Sequence, residues 1–307
     1  MNREKKKRKH LVFPMLLAAS LIFAGCGTAP TTSKSEPEPA KNGAEQTSAS
    51  SSEAPVAKEI AFHPPKLEEA PKGELGEAIQ LGYKIITDTK TAVPQNVGNN
   101  LSCISCHADG GMNKTASPLV GVTAVHPQYR DREGKVITME DRINECFKRS
   151  MNGKPLEPGS KEMTAMIAYL TYISKGIPTG ADIPWRGKSK VSLEGITPDK
   201  ANGEKLYKQS CLACHGADGS GTGPASGPAV WGKNSFNDGA GLARISQLTG
   251  YIQQNMPKVE MGGVKPGQLT KQQAADLAAY LLAQERPEFS GKKNDWPKGN
   301  KPKDVKY

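Results

Sequence analysis

Two stretches of the chain, "CISCH" at 103–107 and "CLACH" at 211–215, repeat one pattern: two cysteines three apart, with a histidine directly after the second. Thiols at that spacing can alkylate both vinyl groups of one haem, and the adjacent imidazole can bind the iron from one face. Zinc is the rival chemistry, but a zinc site usually folds a second ligand pair onto the same metal. A thioredoxin-like dithiol does not need the histidine. Two complete copies point to two covalently bound haem c groups, attached through Cys103, Cys106, Cys211 and Cys214, with His107 and His215 as iron ligands.

Each iron then needs a sixth ligand. In the second repeat Met256 lies 41 residues after His215, and Pro257 ends the preceding helix there, so a thioether in the following loop can reach the metal. A core methionine is the alternative, and Met261 is the fallback ligand. The equivalent place in the first repeat, 39 residues after His107, holds Cys146. Thr138 with Asp141 resembles a capping box, which predicts a helix from about Met139 to Gly153. On that helix Arg142, Arg149 and Ser150 share the face of Cys146, and two cations beside a thiol favour the thiolate. The bland alternative is an inert buried thiol, with Arg149 pairing with Glu145 one turn back.

The elements that must hold these residues also come in pairs. A short helix carries Gly82 and Tyr83 in one unit and Gly203 and Tyr207 in the other; a terminal helix bears Tyr169 in one and Tyr280 in the other. Met163, Met166, Ile167, Leu170 and Ile173 recur at helical spacing, as do Ala274, Leu277, Ala278 and Leu281. Met163 and Met166 could compete as iron ligands but belong to that apolar stripe. Ser160 and Thr270 read as N-caps. No segment reads as a convincing sheet. The expectation is an all-α chain of two cytochrome c-type domains in tandem, 73–180 and 197–287, each with one covalent haem, joined by a linker at 181–196. "GADGSGTGPASGPAVWG" reads as a haem-covering loop in which Pro228 offers its carbonyl to the ring of His215. Residues 288–307 are basic and rich in Pro and Gly, which favours a free tail; Phe289, Trp296 and Tyr307 are the side chains that could instead wrap it over the domains.

The N-terminus has a different character. A basic block, an apolar run from Leu11 to Phe23 and then Ala24-Gly25-Cys26 make a secretory signal over residues 1–25, and the run is too short to span a bilayer. It resembles a bacterial lipoprotein signal, with Cys26 the lipidated first residue. The expected location is outside the cell interior, lipid-anchored at the outer face of the cytoplasmic membrane. Residues 26–72 are rich in Ser, Thr, Pro, Ala and Glu and read as a flexible tether of roughly 35–40 Å reach. The formal charge of +10 from 41 basic and 31 acidic residues falls to +5 without residues 1–25, which carry six basic side chains and one acidic. A nucleic-acid-binding reading loses its support with that correction.

"YRDREGKVITMEDRINECFKRSMNGKPL" ahead of "SKEMTAMIAYLTYIS" resembles the thiosulfate dehydrogenase family of dihaem cytochromes c, to which the sulfur-oxidising SoxA cytochromes are related. The resemblance covers roughly residues 73–290; its specific part surrounds Cys146, the second domain being generic cytochrome c. It implies that two thiosulfates are joined oxidatively to tetrathionate, or the reverse, with two electrons passing to an acceptor cytochrome or oxidase. It implies further that His107 and Cys146 ligate a catalytic haem, that His215 and Met256 ligate an electron-transfer haem, and that Arg132 and Ser150 lie near the active cysteine. Some members carry a lysine just before the methionine; here that place is Asn255, so a Lys/Met ligand exchange is not expected. The residues agree with this chemistry, since Arg130, Arg132, Arg142 and Arg149 could offset the repulsion between two small sulfur dianions. Three alternatives are a non-catalytic dihaem electron carrier, a SoxA-like sulfur-carrier ligase and a dihaem peroxidase. The ligase needs a partner protein, and the peroxidase would leave one iron open or weakly ligated.

Overall fold

In a computed structural model, which describes residues 60–187 and 190–307, the chain forms two helical units. The first contains α1 (Glu74–Thr87), α2 (Thr89–Ala92), α3 (Met139–Glu145) and α4 (Lys161–Ile173). The second contains α5 (Lys200–Ser210), α6 (Leu212–His215), α7 (Ile245–Asn255) and α8 (Lys271–Leu282). In each, the first long helix packs on the terminal one: α1 on α4, α5 on α8.

The repeated glycines explain that crossing. A Cβ on Gly82 would lie 2.1 Å from the carbonyl oxygen of Ala165, and one on Gly203 would lie 2.0 Å from that of Asp276. Only a residue without a side chain lets the two backbones come this close. Two tyrosines add a matching pair of anchors: the Tyr169 hydroxyl donates to the Gly110 carbonyl at 2.9 Å and the Tyr207 hydroxyl to the Gly216 carbonyl at 2.7 Å. Both contacts fasten the segment just after a Cys-His pair to its unit's core. Met163, Leu170 and Ile173 are fully buried on α4, as Ala274, Leu277 and Ala278 are on α8, so the helical spacing marks the core faces. Ser160 and Thr270 cap these helices by accepting from the backbone N–H groups of Met163 and Gln273.

Several elements depart from expectation. A small antiparallel hairpin is present, β1 (Gln128–Arg130) paired with β2 (Lys135–Ile137). Gly134, at φ +63°, closes its turn by donating to the Arg130 carbonyl at 2.8 Å. Two strands of three residues leave too little alternation to detect, so among the described residues the fold is helical with one ribbon. Residues 60–72, expected as part of the tether, instead pack on the first unit: Ile60, Phe62, Leu67 and Ala70 meet its core, and the Tyr172 hydroxyl donates to the Lys66 carbonyl at 2.6 Å. Residues 1–25, Cys26 and the tether up to residue 59 lie outside the described residues. Among those described, no helix is long and apolar enough to cross a membrane.

The start of the stretch expected as a linker, 181–196, also packs. Ile183 and Trp185 are buried in the first core, and the Trp185 indole donates to the Val120 carbonyl at 2.9 Å while standing edge-on to Phe62. The tail is laid down rather than free. Trp296 is buried and donates its backbone N–H to the Arg132 carbonyl at 2.8 Å, and the Tyr307 hydroxyl donates to Asp295 at 2.8 Å. Asp295 in turn receives a two-pronged bond from Arg149, at 2.8 and 2.7 Å, and both side chains are almost wholly removed from water. Breaking such a pair strands a buried charge. Asp295→Ala is therefore expected to cost about 3 kcal/mol, at the lower end for a buried pair because Glu145 still contacts Arg149. Chemical denaturation of the holoprotein reads this directly, and a loss below about 0.5 kcal/mol would contradict the clasp.

Candidate active site

The helix bearing Cys146 starts as the sequence predicts. The Thr138 hydroxyl accepts from the Asp141 N–H and the Asp141 carboxylate from the Thr138 N–H, both at 3.1 Å. It then changes pitch. Residues Cys146–Ser150 form a π-helical turn, sealed where the Met151 N–H donates to the Cys146 carbonyl at 3.0 Å. The change of pitch decides which neighbours Cys146 keeps. Arg142 lies on the regular side, one turn back, and its Nη1 donates to the Cys146 sulfur at 3.0 Å. Arg149 lies within the widened turn and faces the other way, toward Glu145, Asp295, the Gly239 carbonyl and the ring of Phe289.

One cavity of about 320 Å³ carries Cys103, Cys106 and His107 together with Cys146, Arg142 and Ser150. Met166 also reaches its wall. The His107 ring is fixed by its Nδ1, 2.5 Å from the Ser117 carbonyl. An N–H on that nitrogen leaves Nε2 unprotonated, the form a metal requires. A second cavity of about 70 Å³ carries Cys211, His215 and Met256; Cys214 stands in the same helical turn but outside the lining. Here Nδ1 of His215 lies 2.8 Å from the Pro228 carbonyl, the acceptor expected from sequence. Met256 terminates α7 as expected, whereas Met261 is taken up in a bridge with Val264. Both cavities thus bring two kinds of soft or imidazole ligand to an apolar chamber beside attachment thiols, which fits covalently held haem. Leu101 and Cys106 line both chambers, so the two sites abut.

The three thiols of the first cavity differ in character. Burial pushes Cys103 and Cys106 up to about 12, with the neighbouring Cys146 adding to the effect. Burial also opposes ionisation of Cys146, but the Arg142 charge, with the neighbouring His107 ring and the hydrogen bond from Arg142, outweighs it, and the thiol falls to about 6. Cys146 alone of the three is set up as a thiolate at neutral pH.

The expected arginines sort unevenly. Arg142 is in place, and Ser150 lines the cavity while its carbonyl accepts from the Asn99 amide at 2.9 Å. Arg130, on β1, lies near Arg142, and repulsion from Arg142 adds to burial in lowering its pKa. Arg132 does not reach the cavity: it donates to the Gly239 carbonyl at 3.2 Å and stacks over Trp296. Arg149 serves the tail clasp instead. Sequence reasoning missed Arg186 and Gln254, which both line the first cavity. It also missed Ser117, although "SPLV" at 117–120 matches "GPAV" at 227–230, which contains the acceptor of the second unit.

The second unit helps to wall the first site. Asn255 donates to the Thr115 carbonyl at 3.3 Å, and Asn237 donates through its side chain to the Lys148 carbonyl at 2.9 Å. Asn99, 1% exposed, donates to both Ser150 and Ser235 carbonyls and accepts from the Leu101 N–H.

Comparison with known proteins places these observations. A family model described as "SoxA/TsdA, cytochrome c domain" matches residues 94–179, and one described as "Cytochrome c" matches 200–285. A thiosulfate dehydrogenase of Psychrobacter arcticus is 39% identical over 240 residues, 77% of this chain and 72% of that protein. One from Allochromatium vinosum is 42% identical over 227 residues, 71% of this chain and 82% of that protein. The solved thiosulfate dehydrogenase (TsdBA) of Marichromatium purpuratum, in its as-isolated form, superposes with a TM-score of 0.67 at 35% identity, covering 73% of this chain. This chain spans 49% of the length of that one.

Asn99→Ala would leave two carbonyls and one N–H unpartnered at the boundary between the units. It is expected to cost about 2–3 kcal/mol, measured as a lowered denaturation midpoint of the holoprotein; an unchanged midpoint would show that the boundary does not depend on this side chain.

Proposed function

Because the chain belongs to the thiosulfate dehydrogenase family of two-domain cytochromes c, we propose that it joins two thiosulfates into tetrathionate at Cys146. The reaction forms one S–S bond and releases two electrons without proton transfer, and it can run in reverse when electrons are supplied. The observation that carries this reading is the 3.0 Å contact of Arg142 with the Cys146 sulfur, inside the cavity that also holds Cys103, Cys106 and His107.

Haem bound through Cys103 and Cys106, and a second through Cys211 and Cys214, would supply the electron path from the first cavity to the second and on to an acceptor cytochrome or oxidase. His107 and Cys146 are the proposed iron ligands of the first site, and His215 and Met256 those of the second. Thiolate and thioether ligands set potentials apart, the thiolate lower, which directs electrons outward. Arg142 holds Cys146 ionised and neutralises part of the incoming dianion's charge. Ser150 offers a hydroxyl at the wall. Arg132 and Arg149 act at a distance, by fastening the hairpin turn and the tail around the site. Asn255 is engaged with the Tyr251 and Thr115 carbonyls, which suits a second site served by Met256 alone. Export, and lipid attachment through Cys26 at the outer face of the cytoplasmic membrane, complete the proposal. A small sulfur oxyanion is the substrate, and nucleic acid is not a partner.

The test is thiosulfate-dependent reduction of ferricyanide by purified holoprotein, with Cys146→Ala and Cys146→Met alongside. Wild type is expected to form tetrathionate, and both variants to lose at least about 100-fold in kcat while keeping two covalent haems per chain. A wild type inactive with both thiosulfate and tetrathionate would sink the enzyme reading and leave a dihaem electron carrier.

A further inference from the structure

We propose that Arg186 is a substrate-binding residue, which receives the anionic sulfonate end of a sulfur oxyanion whose reacting sulfur lies at Cys146. The inference rests on the activity proposed above and deepens it.

Arg186 comes from the stretch whose composition reads as a linker, yet its place is well defined. Trp185 beside it is buried, hydrogen-bonded to Val120 and packed on Phe62. The Arg186 N–H closes a turn on the Ile183 carbonyl at 3.0 Å. This anchored turn sets Arg186 in the wall of the cavity that contains Arg142 and Cys146.

Its electrostatic setting is unusual for a structural arginine. Among the described residues, Arg186 forms no ion pair and its guanidinium makes no hydrogen bond. Its charged neighbours are cations: burial and then repulsion by Arg142 and Arg130 bring its pKa down to about 10. His126 is held below its ordinary value by burial, and the charges of Arg186, Arg142 and Arg130 add to this. Glu133 acts on Arg130 and Arg142, and Glu145 on Arg142, but neither carboxylate figures among the charges acting on Arg186. A protein gains nothing in stability from crowding half-buried guanidinium groups together. The arrangement is repaid when a dianion enters. Arg142 is already committed to the Cys146 sulfur, so the free planar donors of Arg186 are those available to a sulfonate.

Charge, not shape, should then govern the effect of substitution. With Arg186→Lys, Arg186→Gln and Arg186→Glu, KM for thiosulfate is expected to rise in that order, by about tenfold for Gln, while kcat stays within about threefold. Calorimetric titration of oxidised holoprotein with tetrathionate is expected to show the same order in Kd. A packing role would instead lower stability and kcat with no order by charge, and unchanged KM and Kd in all three would overturn the proposal while the enzyme reading stood. Should wild type neither turn over thiosulfate nor bind tetrathionate, the enzyme reading fails and the role of Arg186 falls with it.

Discussion

A guanidinium lying 3.0 Å from a thiol in a half-enclosed apolar chamber is the contact on which the rest of this site depends. Burial opposes ionisation of Cys146, and the Arg142 charge is the largest influence against it. The chain reaches this arrangement by keeping α3 regular up to Glu145 and widening the next turn. The regular part delivers Arg142 to the sulfur. The widened part carries Arg149 away, so that Glu145 and Asp295 form their ion pairs with Arg149 and leave Arg142 bonded to the sulfur. A single regular helix would have brought both arginines and their carboxylate partner to one face, and the cavity would have lost its excess of positive charge.

The surrounding architecture serves that division. Gly82 lets α1 approach α4 and so places the turn bearing Cys103, Cys106 and His107 across from Cys146. The second unit repeats the device with Gly203 and sets its own chamber against the first, with Leu101 and Cys106 common to both walls. Contact between the chambers suits the proposed passage of electrons from the first site to the second. The tail and the 181–187 stretch close the assembly from outside, the first through Asp295 and Trp296, the second through Trp185.

Covalent attachment leaves little freedom in spacing, and for that reason the two Cys-His clusters could be read directly from the chain. Thr138 with Asp141, Ser160 and Thr270 were legible because caps act over three residues. Pro228 was legible as an acceptor, and Ser117 was one residue away from being so. The position of Arg149 was not, since its strongest partner, Asp295, lies 146 residues further on. Neither was Arg186, whose neighbours Pro184 and Gly187 give the segment the composition of a connector although Trp185 anchors it. The hairpin at 128–137 was too short to leave a period-two signature, yet it brings Arg130 near Arg142.

The measurement that reaches the centre of this account is a potentiometric titration of the oxidised holoprotein, wild type beside Cys146→Met. The account predicts two waves in wild type, the lower one belonging to the site of His107 and Cys146, and a rise of that wave alone in the variant as thioether replaces thiolate. Two waves that coincide in both proteins, or a lower wave untouched by the substitution, would mean that Cys146 does not ligate iron, and the reading of the first site would have to be rebuilt.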